Sequence, residues 1–126
     1  MDLQDRIAAL IGDRADEGWF DVHRDVFRDP AIFQLELEHI FEGTWVFVGL
    51  ESQVPRAHDF LTTWVGRTPV VVTRAGDGQL HCVINSCRHR GAALFQTRQG
   101  NRKFHACPYH GWVYDSGGKC IDIKDQ

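Results

Sequence analysis

Apolar residues recur at helical spacing in two stretches of the first third of the chain. The first stretch predicts a short helix from about Leu3 to Ile11, which ends at Gly12. A second helix is predicted to begin after Asp29, a capping residue followed by a proline at the first helical position. The apolar face of this helix carries Phe33, Leu37, Ile40 and Phe41. We therefore expect the region before Gly43 to be helical.

After Gly43 the pattern becomes extended, because the apolar runs are rich in β-branched and aromatic residues. These runs are Trp45–Leu50, Phe60–Val65, Val70–Arg74 and Leu80–Ile84. Two glycine-containing triplets, 76–78 and 116–118, supply the positive φ angles that tight hairpin turns need. The sequence predicts a mainly β, mostly antiparallel fold, with a helical extension over residues 1–43 and a β domain over residues 44–126.

The composition is that of an ordinary folded domain. The chain has 126 residues, of which 43% are apolar and 25% charged, with a net charge of -3. It has no long run of lysine or arginine, which gives no electrostatic signature for nucleic acid. The N-terminus lacks a basic region followed by an apolar stretch, and no window is long enough to cross a bilayer. We therefore expect a cytoplasmic protein that binds neither nucleic acid nor a membrane.

The four cysteines favour metal binding, because a chain without an export signal sits in a reducing compartment where disulfides are rare. Two of them lie in matching segments that each offer one thiolate and one imidazole. The segments, separated by seventeen residues, are Cys87-Arg88-His89 and Cys107-Pro108-Tyr109-His110. In a Rieske centre two cysteines bind one iron and two histidines bind the other, so each segment would give one ligand to each metal. Both segments follow a predicted strand, which places the four residues on loops.

A single structural zinc ion is the main alternative for the same four residues, since zinc also takes sulfur and nitrogen ligands. Structural zinc sites usually space paired ligands by two to four residues, whereas only one residue separates Cys87 from His89. This spacing suits two adjacent metal ions better than one.

The two segments resemble the cluster-binding loops of Rieske non-haem iron oxygenases. The matching residues are Ser86-Cys87-Arg88-His89-Arg90-Gly91 and Cys107-Pro108-Tyr109-His110-Gly111-Trp112. The resemblance is to the large (alpha) subunit of aromatic-ring-hydroxylating dioxygenases and extends over nearly the whole chain from about Asp21. Within this family the sequence is similar to the benzoate, anthranilate and salicylate hydroxylating enzymes, which implies an aromatic carboxylate as substrate.

The resemblance implies a Rieske-type antiparallel β-sandwich with two cluster-binding loops that hold a [2Fe-2S] cluster. Cys87 and Cys107 would bind the inner iron, and His89 and His110 would bind the outer iron through Nδ1. In the family, the imidazole at the position of His110 donates to an aspartate of the neighbouring subunit. The resemblance further implies an electron donor, either a reductase or a ferredoxin, and a homotrimer of alpha subunits, possibly with a beta subunit.

The mononuclear Fe(II) of the family belongs to a catalytic domain that we expect to be missing here, since the chain stops soon after the second loop. His105 and His110 stand five positions apart, as the two histidines of that iron site do, but Arg102 occupies the place of a motif carboxylate. We interpret this spacing as a coincidence. This chain alone should only transfer electrons, and a free-standing Rieske ferredoxin and a zinc-stabilised interaction module remain the alternatives.

Rieske proteins of cytochrome bc complexes have a disulfide beside the cluster and hydroxyl donors to its sulfurs. Here Ala92 and Tyr109 occupy the disulfide positions, and Trp112 replaces a serine donor. Because fewer hydrogen bonds would stabilise the reduced cluster, we predict a reduction potential near the low end of the Rieske range, about -150 mV.

The remaining cysteines, histidines and tryptophans are expected to be structural. Cys82 and Cys120 lie in predicted strands, where buried free thiols are common. The expected surface or hydrogen-bonded histidines are His23, His39, His58, His81 and His105. The tryptophans expected to pack in the core or loops are Trp45, Trp64 and Trp112. Arg88 and Arg90 either dock an acidic partner or are simply solvated.

Overall fold

The computed structural model describes residues 2–124, and the backbone divides into two units between Trp45 and Val46. The first unit begins with helix α1, Leu3–Ala9, which the Asp2 side chain caps by accepting a hydrogen bond from the Asp5 N–H. This helix is shorter than predicted, because Ile11 begins a strand. Strand β1, Ile11–Arg14, pairs with strand β2, Trp19–Val22, in an antiparallel hairpin. The sequence analysis missed this hairpin, because neither strand shows a regular alternation of apolar and polar residues.

The second helix of the first unit begins where it was predicted. The Asp29 side chain accepts a hydrogen bond from the N–H of Ala31, and helix α2 spans Pro30–Glu36. The chain then continues through a π-helical turn at Leu37–Phe41. Within residues 2–124, no helix combines the length and the apolar character needed to cross a membrane.

The second unit contains two antiparallel sheets. The first sheet has four strands in the order β5-β4-β3-β6. Its strands are β3, Asp59–Val65; β4, Thr68–Arg74; β5, Leu80–Ile84; and β6, Gln99–Asn101. The second sheet has three strands in the order β7-β8-β9. These are β7, Phe104–Ala106; β8, Val113–Asp115; and β9, Cys120–Asp122.

The mainly antiparallel β architecture confirms the predicted fold class. One of the predicted strands, however, does not form. Residues 45–50 form no strand and lead into a 3-10 turn at Glu51–Gln53. The two predicted hairpin turns are present, with Gly78 at φ +86° and Gly118 at φ +88°. Only one glycine of each triplet has a positive φ angle.

Two buried clusters form the core of the second unit. One consists of Phe60, Val71 and Phe95, and the other contains the thiols of Cys87 and Cys107 with the ring of Tyr114. Leu94 packs against both clusters. Because Leu94 follows the first cysteine segment, it joins that segment to the apolar centre of the larger sheet.

Candidate metal centre

The first cysteine segment forms a closed turn over residues 87–92, shortly after the end of β5. The N–H of Cys87 donates to the carbonyl of Ala92 over 2.8 Å, and the N–H of Gly91 donates to the carbonyl of Cys87 over 2.8 Å. These two bonds fix the loop from both ends. His89 therefore lies at the tip of a braced turn.

The second segment repeats this turn over residues 107–112, between β7 and β8. Here the N–H of Cys107 donates to the carbonyl of Trp112 over 2.7 Å, and the N–H of Gly111 donates to the carbonyl of Cys107 over 2.9 Å. Gly91 and Gly111 hold the equivalent position with the same φ of +75°, where a residue with a side chain would be strained. The two turns are thus near copies, although the histidine is two residues after the cysteine in one and three in the other.

The thiols lie inside the protein and the imidazoles lie towards its surface. Cys87 and Cys107 are 3% and 4% exposed. His89 is exposed and His110 is half-buried, and their ring centroids are 4.7 Å apart. The structure therefore brings the four predicted ligand residues together as an inner thiol pair and an outer imidazole pair.

Hydrogen bonds favour the thiolate form of Cys87. Burial acts to raise the pKa of this thiol, but the bonds it accepts outweigh burial and lower the pKa. The donors are the hydroxyl of Tyr114, the side chain of Cys107 and the backbone N–H groups of His89 and Arg90. A thiolate is the form of cysteine that binds metal ions.

His110 has a buried ring nitrogen with no partner. Its Nδ1 is shielded from solvent and makes no hydrogen bond. A buried polar atom without a partner is costly, and a nitrogen that binds a metal ion avoids this cost. Nδ1 is also the atom that the family resemblance implies as the ligand. The paired donors fit a two-iron cluster.

Aromatic rings support the two outer histidines. The indole of Trp112 stacks on the ring of His89, with centroids 5.0 Å apart and planes within 8°. Tyr109 packs against His110 with centroids 3.9 Å apart. The guanidinium of Arg90 lies over the Tyr109 ring, 5.8 Å from its centroid. These contacts restrict both imidazoles without covering them.

Tyr114 is a site residue that the sequence analysis missed. Its hydroxyl oxygen lies 3.2 Å from Sγ of Cys87 and accepts a hydrogen bond of 3.0 Å from the N–H of Arg88. Burial and the bond to Cys87 raise the pKa of Tyr114 to about 12, so its hydroxyl stays protonated and can donate to the sulfur. The sequence did offer one signal: Tyr114 carries a hydroxyl group and lies at an inward position of the strand that follows the second loop.

The structure corrects two expectations about thiols and indoles. Cys82 is exposed on the edge strand β5, so its predicted burial is wrong. Cys120 is half-buried and packs against the cluster of Cys87, Cys107 and Tyr114. Trp45 and Trp64 are exposed, so their predicted packing is wrong. Trp112 packs against the buried cluster, as predicted.

The structure also corrects the expectation for one histidine. His58 has the expected hydrogen bond, since its Nδ1 lies 2.8 Å from Oγ of Ser116. His105, in contrast, is only 2% exposed and its Nε2 has no hydrogen-bond partner. The pKa of His105 is lowered to about 4, chiefly by burial; the charge of Arg102 also lowers it, and a hydrogen bond to the Arg102 backbone opposes the shift. Its ring is therefore neutral at pH 7.

Two braced turns with paired thiols and paired imidazoles, on a small antiparallel β unit, define an iron–sulfur domain. The comparison with protein families agrees, since the Rieske [2Fe-2S] domain matches residues 44–126. The chain belongs to this family, whose cofactor is a [2Fe-2S] cluster.

Curated relatives are large subunits of ring-hydroxylating dioxygenases. The chain is 43% identical over 121 residues to toluate 1,2-dioxygenase subunit alpha of Pseudomonas putida, covering 96% of this chain and 27% of that protein. It is 40% identical over 121 residues to the anthranilate 1,2-dioxygenase large subunit of Acinetobacter baylyi, covering 96% and 26%. With the 2-halobenzoate 1,2-dioxygenase large subunit of Burkholderia cepacia, it shares 45% identity over 108 residues, covering 86% and 23%. The chain thus spans about a quarter of the length of these relatives.

Solved structures show the same similarity. Naphthalene 1,2-dioxygenase from Rhodococcus sp., bound to indole, matches with a TM-score of 0.75 and 33% identity, covering 77% of this chain and 22% of that one. A quaternary ammonium Rieske monooxygenase matches with a TM-score of 0.72 and 29% identity, covering 80% and 28%. The fold is therefore common to Rieske oxygenases whose names indicate different substrates.

Proposed function

We propose that Cys87, His89, Cys107 and His110 hold the [2Fe-2S] cluster, with the two cysteines on one iron and the two histidines on the other. The observation that carries this proposal is the buried, unpartnered Nδ1 of His110, on the same turn as the buried thiol of Cys107. When bound, the cluster supplies reversible one-electron transfer. The lowered pKa of Cys87 supports the proposal, because it favours the thiolate needed for binding.

The domain then carries single electrons for an aromatic-ring-hydroxylating oxygenase, delivering them to a mononuclear iron in a catalytic domain outside this chain. The outer imidazoles form the surface that a partner can reach. A cavity of about 540 Å³ beside them is lined by His89, Tyr109, His110, Trp112 and Lys124, with Gly111. An acceptor group of the partner can enter here without disturbing the buried thiols.

We further propose a reductase or ferredoxin as the electron donor, and a homotrimer of alpha subunits with or without a beta subunit as the assembly. Exposed Arg88 and Arg90 flank His89, which supports docking of an acidic donor surface. The printed names of three relatives, which act on toluate, anthranilate and 2-halobenzoate, support an aromatic carboxylate as the substrate of the whole enzyme.

Two organisational proposals accompany this function. Residues 1–43 form an extension and residues 44–126 form the Rieske domain, which is supported by the division of the backbone after Trp45. We propose a cytoplasmic location, which is supported by the free thiols of Cys82 and Cys120, because a reducing compartment keeps cysteines unpaired.

Anaerobic purification followed by iron and sulfide analysis tests the cluster assignment. We expect two irons and two sulfides per chain, and an EPR signal from the reduced protein. Cys87→Ser and His110→Gln should abolish the signal, whereas Cys82→Ser and His81→Gln should retain it as matched controls. Bound zinc without sulfide, or an unchanged signal in the two ligand variants, would overturn the assignment.

A further inference from the structure

His58 has an unusual backbone conformation. Within residues 2–124 it is the only residue other than glycine with a positive φ angle, +70°. Residues with side chains rarely adopt this left-handed conformation, which persists where the surrounding contacts hold it. The His58 N–H donates to the carbonyl of Arg74 over 2.7 Å, and the His58 carbonyl accepts the N–H of Arg102 over 3.0 Å. These bonds tie His58 to the end of β4 and to the link between β6 and β7.

The His58 ring reaches the turn between β8 and β9. Its Nδ1 lies 2.8 Å from Oγ of Ser116, a residue that is only 4% exposed. The buried hydroxyl of Thr73, on β4, donates to the Ser116 carbonyl over 2.6 Å. A Cβ atom at Gly76 would lie 3.1 Å from Cε1 of the His58 ring, so the glycine leaves room for this ring. Ser116 is therefore held by both its side chain and its backbone.

Side-chain packing does not fill the space on one side of this turn. A cavity of about 550 Å³ is lined by His58 and by the turn residues Asp115, Ser116 and Gly117. Because atoms that line a cavity lack packing partners on that side, directional hydrogen bonds take a larger share in fixing the turn. We call His58, Thr73 and Ser116 the turn clamp.

The turn clamp lies close in sequence to the residue that contacts the first cluster-binding turn. Ser116 directly follows β8, and Tyr114 is the middle residue of that strand. The Tyr114 hydroxyl lies 3.2 Å from Sγ of Cys87. Two residues of extended chain span only about 7 Å, so a displacement of Ser116 reaches Tyr114. The strength of the Tyr114 bond depends on its distance and angle, and it is therefore sensitive to such a displacement.

We propose that His58 and Ser116 are positioning residues of the cluster site, which keep the Tyr114 hydroxyl on the sulfur of Cys87 and thereby raise the reduction potential. The inference rests on the proposed function, because it concerns the potential of the bound cluster. Both residues act through Tyr114, and neither is a proposed ligand. When the clamp is released, the hydroxyl donates to the sulfur for a smaller fraction of the time. The reduced cluster, which carries an extra negative charge, is then less stabilised.

Reduction potentials of the purified, cluster-loaded full chain test this proposal. Ser116→Ala removes the hydroxyl, and His58→Gly removes the ring from a backbone conformation that glycine adopts readily. We expect both changes to lower the potential, but by less than Tyr114→Phe lowers it. His58→Asn should restore most of the wild-type potential, because asparagine tolerates the left-handed conformation and its amide can bond to Ser116. His81→Asn is the matched control, since His81 lines the same cavity from β5, and should leave the potential unchanged.

A double-mutant cycle separates positioning from a general loss of structure. In the Tyr114→Phe background, Ser116→Ala should no longer change the potential, because the hydroxyl through which Ser116 acts is absent. A shift of equal size in both backgrounds would overturn the inference. Unchanged potentials in Ser116→Ala and His58→Gly would also overturn it.

Hydrogen exchange gives a readout that does not require the cluster. In Ser116→Ala and His58→Gly, the amides of β8 and of the following turn should exchange roughly three- to tenfold faster than in the wild type and in His81→Asn. Equal exchange rates would overturn the turn clamp. A wild-type chain that binds neither iron nor sulfide would overturn the proposed function and with it the effect on the potential, whereas the exchange rates would still decide whether the clamp holds β8.

Discussion

The hydroxyl oxygen of Tyr114 lies 3.2 Å from Sγ of Cys87, the residue at which the first cluster-binding turn begins. Tyr114 is buried on β8, in the second sheet, and its hydroxyl also accepts the N–H of Arg88. One side chain therefore holds the sulfur and the backbone of the first turn from the opposite sheet. Because the hydroxyl stays protonated, its bond to the sulfur persists across the ordinary pH range.

Tyr114→Phe should lower the reduction potential of the cluster. Hydrogen bonds to the sulfurs stabilise the reduced, more negative state, so removing one makes reduction harder. A hydrogen bond of about 1 kcal/mol corresponds to roughly 40 mV for a one-electron couple. Protein-film voltammetry of the wild type and the variant measures this shift.

Tyr109→Phe is the matched control for this change. Tyr109 is exposed, and its recorded contacts are through the face of its ring, which phenylalanine retains. We expect its potential to stay close to that of the wild type. A Tyr114→Phe potential equal to or above the wild-type value would show that the hydroxyl does not tune the site.

The contrast between Tyr114 and the four proposed ligands shows what the sequence could reveal. The ligands could be predicted because each Cys/His pair lies within four residues, and such a local spacing can be recognised without knowing the fold. Tyr114 acts across twenty-seven residues on Cys87, so only the pairing of strands brings it into contact. The prediction of a low reduction potential took account of the serine donor that Trp112 replaces, but not of the Tyr114 hydroxyl.

One strand prediction failed for a similar reason. Strands β3, β4 and β5 were predictable because β-branched runs are bounded by turn residues. Residues 45–50 carry the same apolar signal but pair with no strand, since composition cannot report a pairing partner. The buried His105 also escaped prediction, because its burial depends on two phenylalanines far from it in sequence.

Trp112→Leu should shorten the lifetime of the bound cluster. The indole stacks on His89, and an aromatic pair of this kind contributes about 0.5–1.5 kcal/mol. Loss of the stack should allow His89 to leave the metal more often, which predicts a roughly two- to tenfold shorter half-life. The decay of visible absorbance in the presence of an iron chelator measures this lifetime.

Trp64→Leu controls for the loss of a tryptophan. Trp64 lies exposed on β3, a strand that carries none of the proposed ligands. We expect the half-life of its cluster to match that of the wild type. Equal half-lives for both variants would mean that the stacked indole does not hold His89.

Asn85→Ala should destabilise the segment that carries the first turn. The buried Asn85 side chain accepts the N–H groups of Leu94 and Phe95, over 3.0 and 2.9 Å, and donates to the Phe95 carbonyl over 2.8 Å. Alanine leaves these backbone groups without partners in a buried site. We expect the free energy of unfolding to fall by roughly 2–4 kcal/mol.

Denaturant unfolding measures this loss, with Gln96→Ala as the control. Gln96 is an exposed residue in the same segment, so its truncation should change the free energy of unfolding little. If Asn85→Ala unfolds at the same denaturant concentration as the control, its three hydrogen bonds do not stabilise the segment.

Asp59→Asn should remove a pH-dependent contribution to stability. Asp59 is only 5% exposed, and its pKa is lowered below the ordinary 3.8, most strongly by the side-chain bond from Asn101. Burial opposes this effect, while the backbone and side chain of Arg56 reinforce it. The folded protein therefore binds the proton more weakly than the unfolded chain, so the carboxylate stabilises the fold above pH 3.8 and this contribution is lost as the pH falls through the lower folded pKa.

Urea unfolding of the wild type and of Asp59→Asn at pH 7 and near pH 3 tests this expectation. The variant should be less stable at pH 7, and the difference should shrink on acidification because the wild-type carboxylate becomes protonated. Asp122→Asn, at an exposed position of β9, matches the change in net charge and should show little difference at either pH. A difference for Asp59→Asn that stays constant or grows as the pH falls would contradict a lowered pKa in the folded protein.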